Sequence, residues 1–233
     1  MESFQKLIEE EKLVEENDKI LVALSGGPDS VALLRLLLEI KDKYKIELGL
    51  CHINHMLRGE NSDGDEEFCK RLSQYYKIPF YSLRANIEAY GKEKKIGLEE
   101  AGREIRYEFF NEISTNNLYN KIALAHNLDD NVETFLFRLI RGTGINGLKG
   151  IPVKRDKIIR PLLNTKKSDI LDYLSNINQE YRIDESNNEK VYSRNKIRLD
   201  LIPYIEKEFN PNFKESITSL INDFSFEEDF EIL

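Results

Sequence analysis

Two hydrophobic periods alternate along this chain of 233 residues. Short apolar runs bounded by polar or turn residues read as buried strands, and longer stretches with apolar positions three and four apart read as helices. The first ~16 residues carry Phe4, Leu7 and Ile8 at helical spacing, a short amphipathic helix. "KILVAL" (19–24) then reads as a buried strand and "VALLRLLLEI" (31–40) as a helix. "IELGLCHIN" (46–54) is a second strand, followed by a helix over Asp65–Lys77 with Phe68, Cys69, Leu72, Tyr75 and Tyr76 on one face. "IPFYSL" (78–83) is a third strand, and Leu98–Ile113 a helix with a stripe of Leu98, Ala101, Ile105, Phe109 and Ile113. "KIALAH" (121–126) is a fourth strand. Asp129–Arg141 is a helix with Val132, Phe135, Leu136, Leu139 and Ile140 on its apolar side. "KIIRPLL" (157–163) is a short fifth strand before a helix at Lys167–Leu174. After Asn210-Pro211 the pattern fades into an acidic, helical C-terminal tail.

Strands alternating with helices require right-handed crossovers, so the expected fold is α/β: a doubly wound parallel sheet of about five strands with helices on both faces. One main domain is expected over 1–215 and a tail over 216–233. Ligands in such sheets sit at the carboxyl ends of the strands. The residues with chemistry gather there: "SGGPDS" after strand one, "HINHMLRGENSDGD" after strand two and "HNLDD" after strand four.

Composition narrows the classes. With 40 % hydrophobic residues the chain can build one good core. Two cysteines, Cys51 and Cys69, and the lack of a signal peptide point to a reducing cytoplasmic compartment. No apolar run approaches ~20 residues, so no membrane span is expected. Three histidines and no Cys/His cluster argue against structural zinc. The net charge of −8 argues against nucleic acid, but it is unevenly spread. Between Arg138 and Lys167 nine basic residues face a single acid, Asp156. That segment is either a solvated basic loop or a docking surface for a polyanion.

The glycine loop carries the most specific chemistry. Gly26 and Gly27 let backbone N–H groups approach an anion, and the helix behind them adds its positive end. Pro28 fixes the turn, and Asp29 and Ser30 open the helix. The nucleoside-triphosphatase P-loop needs G-x-x-x-x-G-K-S/T, and no lysine follows the glycines here. Ser25-Gly26-Gly27-Pro28-Asp29-Ser30 instead resembles the PP-loop of N-type ATP pyrophosphatases, a Rossmann-like class. That resemblance implies cleavage of ATP between its α- and β-phosphates, with Mg²⁺ accompanying the nucleotide and Asp29 as a candidate metal carboxylate.

Five further blocks follow in order: His52–Phe68, Glu99–Phe110, Ala125–Ile151, Ile158–Leu163 and Asp184–Arg198. Together they resemble the tRNA(Ile)-lysidine synthetase family over roughly residues 18 to 215. The resemblance implies activation of the wobble cytidine of a CAU-anticodon isoleucine tRNA at C2. Free L-lysine then displaces AMP, and decoding changes from AUG to AUA. Where that family shows His-His-x-Asp-Asp-Gln, this chain has His126-Asn127-Leu128-Asp129-Asp130-Asn131. The chain ends at Leu233, where many members continue into C-terminal tRNA-binding domains, so a minimal or truncated form is expected.

Roles follow from residue type and from the resemblance. Asp129, Asp130 and Glu133 fall on the first turns of one helix. Such carboxylates bind Mg²⁺ through oxygen or grip ammonium groups, and the resemblance favours lysine. His126, at the end of strand four, donates to a phosphate or takes a proton from the amine. Arg103 and Arg106 share a helix face, and the resemblance marks Arg106 as an active-site residue beside Asp29, His126 and Asp130. His52 and His55 read as loop-fixing hydrogen-bonders. Lys154, Arg155, Lys157, Arg194 and Arg198 are candidate contacts to tRNA phosphate. Tyr173, Tyr181 and Tyr192 are either core residues or platforms for a splayed base. The rivals are a tRNA-thiolating enzyme with the same loop and a catalytically silent nucleotide- or RNA-binding module.

Overall fold

The computed structural model describes residues 1–56, 60–183 and 193–226. At its centre lies β1 (Lys19–Ala23), paired in parallel with β2 (Glu47–Asn54) on one side and β4 (Lys121–Ala123) on the other. Alternation along β1 divides the core. Ile20 and Val22 face one layer and Leu21 the other, and all three are fully buried. On the first side pack α1 (Glu2–Glu10), α2 (Pro28–Tyr44), α3 (Glu60–Tyr76) and α8 (Lys167–Asn176), through residues such as Phe4, Leu33, Leu37, Phe68 and Ile170. On the other side α5 (Leu98–Asn116) lays Phe109 and Phe110 against Leu21, Cys51 and Ile122.

The sheet has six strands rather than the expected five, in the order β3-β2-β1-β4-β6-β5, with β3 at Phe80–Arg84. The expected fifth strand shrinks to Ile158–Ile159, which is β6. Arg160-Pro161 ends it, since proline has no N–H for the ladder. An unexpected antiparallel strand, β5 (Lys154–Arg155), adds to its outer edge. A second unexpected element is α4 (Ile87–Lys94), started by Asn86, whose side chain accepts from the Ala89 N–H at 3.0 Å. Strand order reverses between β1 and β4, and this switch point opens the crevice where such sheets bind ligands.

A third apolar cluster lies beyond the sheet. It is built on α6 (Leu128–Ile140), whose Val132, Phe135 and Leu136 meet Ile197, Ile202 and Ile221. The short α7 (Ile145–Leu148) follows and brings Leu148 to the same cluster. The partners of α6 come from the C-terminal part. There α9 (Ser193–Lys196) leads into a π-helical turn (Ile197–Leu201), α10 (Ile202–Glu208) and α11 (Phe213–Phe226). Leu139 and Ile140, expected on the packed stripe, are 49 % and 62 % exposed. The stretch after Asn210 is patterned after all: Ile217, Ile221 and Phe224 of α11 return to α6. One helix therefore runs through the expected boundary at 215/216, while residues 227–233 lie outside the described ones.

At the amino ends of the strands, buried Lys121 meets buried Asp18 at 2.7 Å and Glu15 at 3.1 Å. This charge network ties the segment before β1 to β4, at the end of the sheet opposite the crevice. Removing one member of such a buried pair costs about 3–5 kcal/mol.

Candidate functional site

The glycine loop between β1 and α2 is braced from within. Ser30 Oγ accepts from the Ser25 N–H at 3.1 Å and donates to the Gly27 carbonyl at 3.0 Å. Ser25 Oγ accepts from the Gly27 N–H at 3.3 Å. Gly26 sits at φ +90°, which favours glycine, and a Cβ there would stand 3.4 Å from Cys69 Sγ and from the Phe68 ring. The helix behind starts with Pro28 at its first position and has no side-chain cap. Its leading amides and positive end thus face the crevice, an arrangement that suits an anion.

Asp29 leaves this loop toward α6. Its carboxylate accepts from Lys167 Nζ at 2.6 and 2.8 Å and from Asn127 Nδ2 at 3.0 Å. Asn127, standing where the family pattern has a second histidine, also caps α6. Its Oδ1 accepts from the Asp130 N–H, and the Asp130 carboxylate accepts from the Asn127 N–H, both at 3.0 Å. Asn131 accepts from the Ile151 N–H at 2.7 Å, so it fastens the next loop. Both replacements keep the hydrogen-bonding capacity their positions use.

The three carboxylates expected to act together are divided. Asp129 turns to Lys214 Nζ at 2.5 Å and the Lys167 N–H at 3.0 Å. Burial pushes its pKa up, but these donors outweigh burial and hold it below the usual carboxylate range. Glu133 is buried and grips Arg198 with both oxygens, at 2.6 and 2.9 Å. Asp130 lies 3.7 Å from the same guanidinium. Burial, with Glu133 and Asp29 nearby, lifts its pKa to about 6. Asp29, Asp130 and Glu133 therefore form one acidic group around Arg198, and Asp129 belongs to another. Arg198 itself, expected on the RNA face, is taken up by Glu133; that pair holds the guanidinium more firmly protonated.

Opposite the glycine loop stand Arg106 and His126, backed by Arg160. A cavity of about 730 Å³ is lined by Ser25, Asp29 and Ser30 on one side and Arg106 and His126 on the other. Arg160, which sequence reasoning did not single out, is buried. Its Nε donates to His126 Nδ1 at 3.3 Å, and its Nη1 donates to the Pro152 carbonyl at 2.6 Å. With Nδ1 accepting, the ring proton of His126 resides on Nε2. Burial first, then Arg160, Arg106, Arg194 and Arg103, drive the His126 pKa down to about 3. The imidazole is therefore neutral. Burial likewise lowers the Arg106 pKa. Among the described residues no carboxylate lies within ion-pair distance of the Arg106 guanidinium.

The basic segment does not form one surface. Arg138 donates to the carbonyls of Gly147 and Gly150 at 3.1 and 2.8 Å. Arg160 is internal, Lys167 holds Asp29, and Lys166 meets Glu215 at 2.5 Å. Lys154, Arg155 and Lys157 remain exposed on the β5–β6 hairpin. Arg155 and Arg103 both lie over the Tyr107 ring, 5.8 and 4.9 Å from its centroid. Arg194 lies over Phe137 at 5.6 Å, as does Arg141 at 5.1 Å. Tyr173 donates to Glu39 at 2.5 Å and packs on the main core with Tyr181, which makes both structural. Tyr192 lies outside the described residues, as does most of the block from Asp184 onward.

His52 donates Nδ1–H to the Leu24 carbonyl at 2.8 Å, as its loop-fixing role required. Cys51 and Cys69 are buried, and burial raises both thiol pKa values. Lys167, Lys214 and Arg160 went unnoticed as site residues because charge counting along the chain says nothing of which carboxylate each will meet. "IIRPLL" did flag the neighbourhood of Arg160 as a block, without a role.

A glycine loop with an open helix end at the switch point, facing Arg106 and His126 across one cavity, suits a nucleotide-binding PP-loop domain. That family's pattern matches residues 1–205, and the chain belongs to it. The fold alone is also that of the U34-tRNA thiolase NcsA from Methanococcus maripaludis, with a TM-score of 0.72, 20 % identity, and coverage of 95 % of this chain and 77 % of that one. Within the PP-loop class the chain belongs with the tRNA(Ile)-lysidine synthases. It is 47 % identical to the one from Clostridium acetobutylicum over 216 residues, 92 % of this chain and 46 % of that protein. The one from Petrotoga mobilis is 40 % identical over 215 residues, 92 % of this chain and 68 % of that protein. The chain thus spans about half the length of several relatives it matches. Among the described residues no helix is long and apolar enough to cross a membrane.

Proposed function

We propose that this chain is the ATP-using catalytic unit of a tRNA(Ile)-lysidine synthase acting in the cytoplasm, with ATP, L-lysine and the CAU-anticodon isoleucine tRNA as substrates. The observation that carries this is the uncapped, glycine-led start of α2 facing Arg106 and His126 across one cavity, with an acidic group beside it. In the first step the C2 oxygen of the wobble cytidine attacks the α-phosphorus. The bond to the α–β bridging oxygen breaks, and pyrophosphate leaves with the electron pair. In the second step the lysine amine attacks C2, loses a proton, and AMP departs with the former C2 oxygen.

The amides and positive end of α2 receive the phosphates. Arg106, across the cavity, adds a cation against the charge that develops on phosphate oxygens. His126, neutral with its proton on Nε2, acts as a hydrogen-bond donor to phosphate. A base with a pKa of about 3 is a poor acceptor of the amine proton, so the donor role is the one supported. Asp130 and Glu133 face the ammonium of lysine, in competition with Arg198. Asp129, tied to Lys214, orders the start of α8 through the Lys167 N–H.

The donor set fits magnesium held chiefly by the triphosphate. That metal takes one or two carboxylates plus phosphate oxygens, and Asp29 presents a hard oxygen donor at the edge of the glycine loop. When bound, it neutralises charge on the departing pyrophosphate. Asp29 is the residue that would hold it, and Lys167 supplies the counter-charge to Asp29 otherwise. The exposed cations Lys154, Arg155, Lys157 and Arg194 would contact tRNA phosphate. Thiol-based chemistry is disfavoured because both cysteines are buried as neutral thiols.

Mass spectrometry of isoleucine tRNA after incubation with the protein, ATP and lysine tests the proposal. A cytidine heavier by one lysine less one water is expected. A cytidine whose oxygen has been exchanged for sulfur in the presence of a sulfur donor, with no lysine adduct, would favour the thiolase reading instead.

A further inference from the structure

The glycine loop lacks the lysine that a nucleoside-triphosphatase P-loop brings to its phosphates, so any protein cation that joins magnesium at the leaving end of ATP comes from elsewhere in the chain. Lys167 is engaged by Asp29, and Arg106 and Arg160 belong to the wall around His126. Arg182 stands on another side of the loop. Its backbone N–H donates to the Gly26 carbonyl at 2.9 Å, which ties it directly to the residue at φ +90°. Its stem covers the same glycine: a Cβ on Gly26 would lie 3.6 Å from Arg182 Cγ.

The segment leading to it is fixed. Gln179 accepts from the Tyr76 hydroxyl at 3.0 Å, and Tyr181 packs on the main core. The guanidinium is held by Asp65 of α3, with Nε donating to Oδ1 at 3.1 Å. Asp65 itself lines the cavity. The Arg182 side chain keeps 47 % of its surface in water, so it can turn from Asp65 to a more highly charged partner without leaving a buried site.

We propose that Arg182 is the cation that binds the pyrophosphate end of the nucleotide over Gly26, replacing the lysine this loop lacks. The inference rests on the ATP reading above and names a further residue for the same site. Asp65 holds the guanidinium in reserve over the loop, and a di- or triphosphate is a stronger acceptor than one carboxylate. An arginine serves here because its planar fork meets two phosphate oxygens at once.

Calorimetric titration of the intact chain with inorganic pyrophosphate and, separately, with AMP tests this. Arg182→Gln keeps the backbone N–H and the Cβ–Cγ stem that cover Gly26, and removes the guanidinium with its charge. Pyrophosphate should bind it about tenfold more weakly, the effect of one charge-assisted hydrogen-bonding group, with AMP unchanged. Arg182→Lys should recover part of the loss. Asp65→Asn, which frees the guanidinium, should tighten pyrophosphate binding. Unchanged pyrophosphate affinity in Arg182→Gln would overturn the inference. So would an equal loss for pyrophosphate and AMP, which would make Arg182 a brace for the loop's shape. A wild-type protein that binds neither ligand would overturn the nucleotide reading, and this inference with it.

Discussion

Two helices begin at the carboxyl edge of the sheet, one on each side of the switch point, and they treat their positive ends in opposite ways. Helix α2 starts after Gly27 with no side chain on its leading amides. Helix α6 starts after Asn127 and closes itself, the Asn127 and Asp130 side chains each accepting from the other's backbone N–H. The same dipole is left open in one case and satisfied in the other. The open end leaves its leading amides available to an external anion, as the proposed function requires. The closed end displays three carboxylates, two of them tightly matched to a cation of this chain, Lys214 at Asp129 and Arg198 at Glu133, while Asp130 lies 3.7 Å from that same Arg198. Asn127 also joins the two ends through its bond to Asp29. Acidic residues at a helix start therefore signal function only when the structure shows where each one points.

The largest expected effect comes from the open end. Asp29→Asn should reduce tRNA-dependent pyrophosphate release by on the order of 100-fold or more. The pair it makes with Lys167 is partly exposed, so stability should change by no more than about 1 kcal/mol. Near-normal pyrophosphate release by this variant would remove Asp29 from the chemistry.

Gly26→Ala probes the backbone of the same end. A residue with a side chain at φ +90° is strained, by about 1–3 kcal/mol, and the new Cβ meets Cys69 and Phe68. A lower melting temperature and weaker ATP binding should appear together. Retention of both would mean that the loop tolerates another conformation.

At the closed end the expected effects fall on lysine. Glu133→Gln and Asp130→Asn should raise the KM for lysine more than that for ATP. If ATP use suffers instead, the carboxylates serve a metal. Asp130 also sets a pH signature. Its pKa is raised to about 6 from an ordinary 3.8, so the folded protein retains this proton up to about pH 6. Ionised Asp130 is then available only above about pH 6, and lysine-dependent turnover should fall as pH drops through that value. The same shift means that ionisation in the folded state costs stability above about pH 6 and nothing below 3.8. Asp130→Asn should lack the pH-6 limb in any residual activity. A limb that persists in the variant belongs to another group, and His126, neutral down to about pH 3, is not a candidate.

The smallest effect belongs to the hairpin cations. Replacing Lys154, Arg155 and Lys157 by Ala should weaken tRNA binding and flatten its salt dependence, by about 0.7–0.9 in slope for each phosphate no longer neutralised. ATP binding should not change. With a Debye length of about 8 Å at physiological salt, local charge outweighs the distant acidic residues. An unchanged slope would move the RNA-binding face to Arg194 and Arg141 over Phe137.

The central sheet was legible because β1, β2 and β4 are buried on both faces and read as apolar runs with turns at their ends. The glycine loop was legible because its geometry is local: six consecutive residues make the turn, braced by Ser25 and Ser30. The edge was less so. A two-residue antiparallel strand such as Lys154–Arg155 has no periodicity of its own and exists only because Ile158–Ile159 offers it a partner. The counter-ions were not legible at all. Lys167 meets Asp29 across 138 residues and Lys214 meets Asp129 across 85, and no spacing rule announces such pairs. For the same reason the linear basic run overstated its surface, since Arg138 and Arg160 turn inward to carbonyls and to His126.

The most direct test of the account is the fate of ATP labelled at the α-phosphate, incubated with the protein, lysine and isoleucine tRNA and resolved by chromatography. An open α2 end without a loop lysine, beside Asp29 and opposite Arg106, predicts that the label appears in AMP, dependent on tRNA. Label appearing in ADP instead would contradict it.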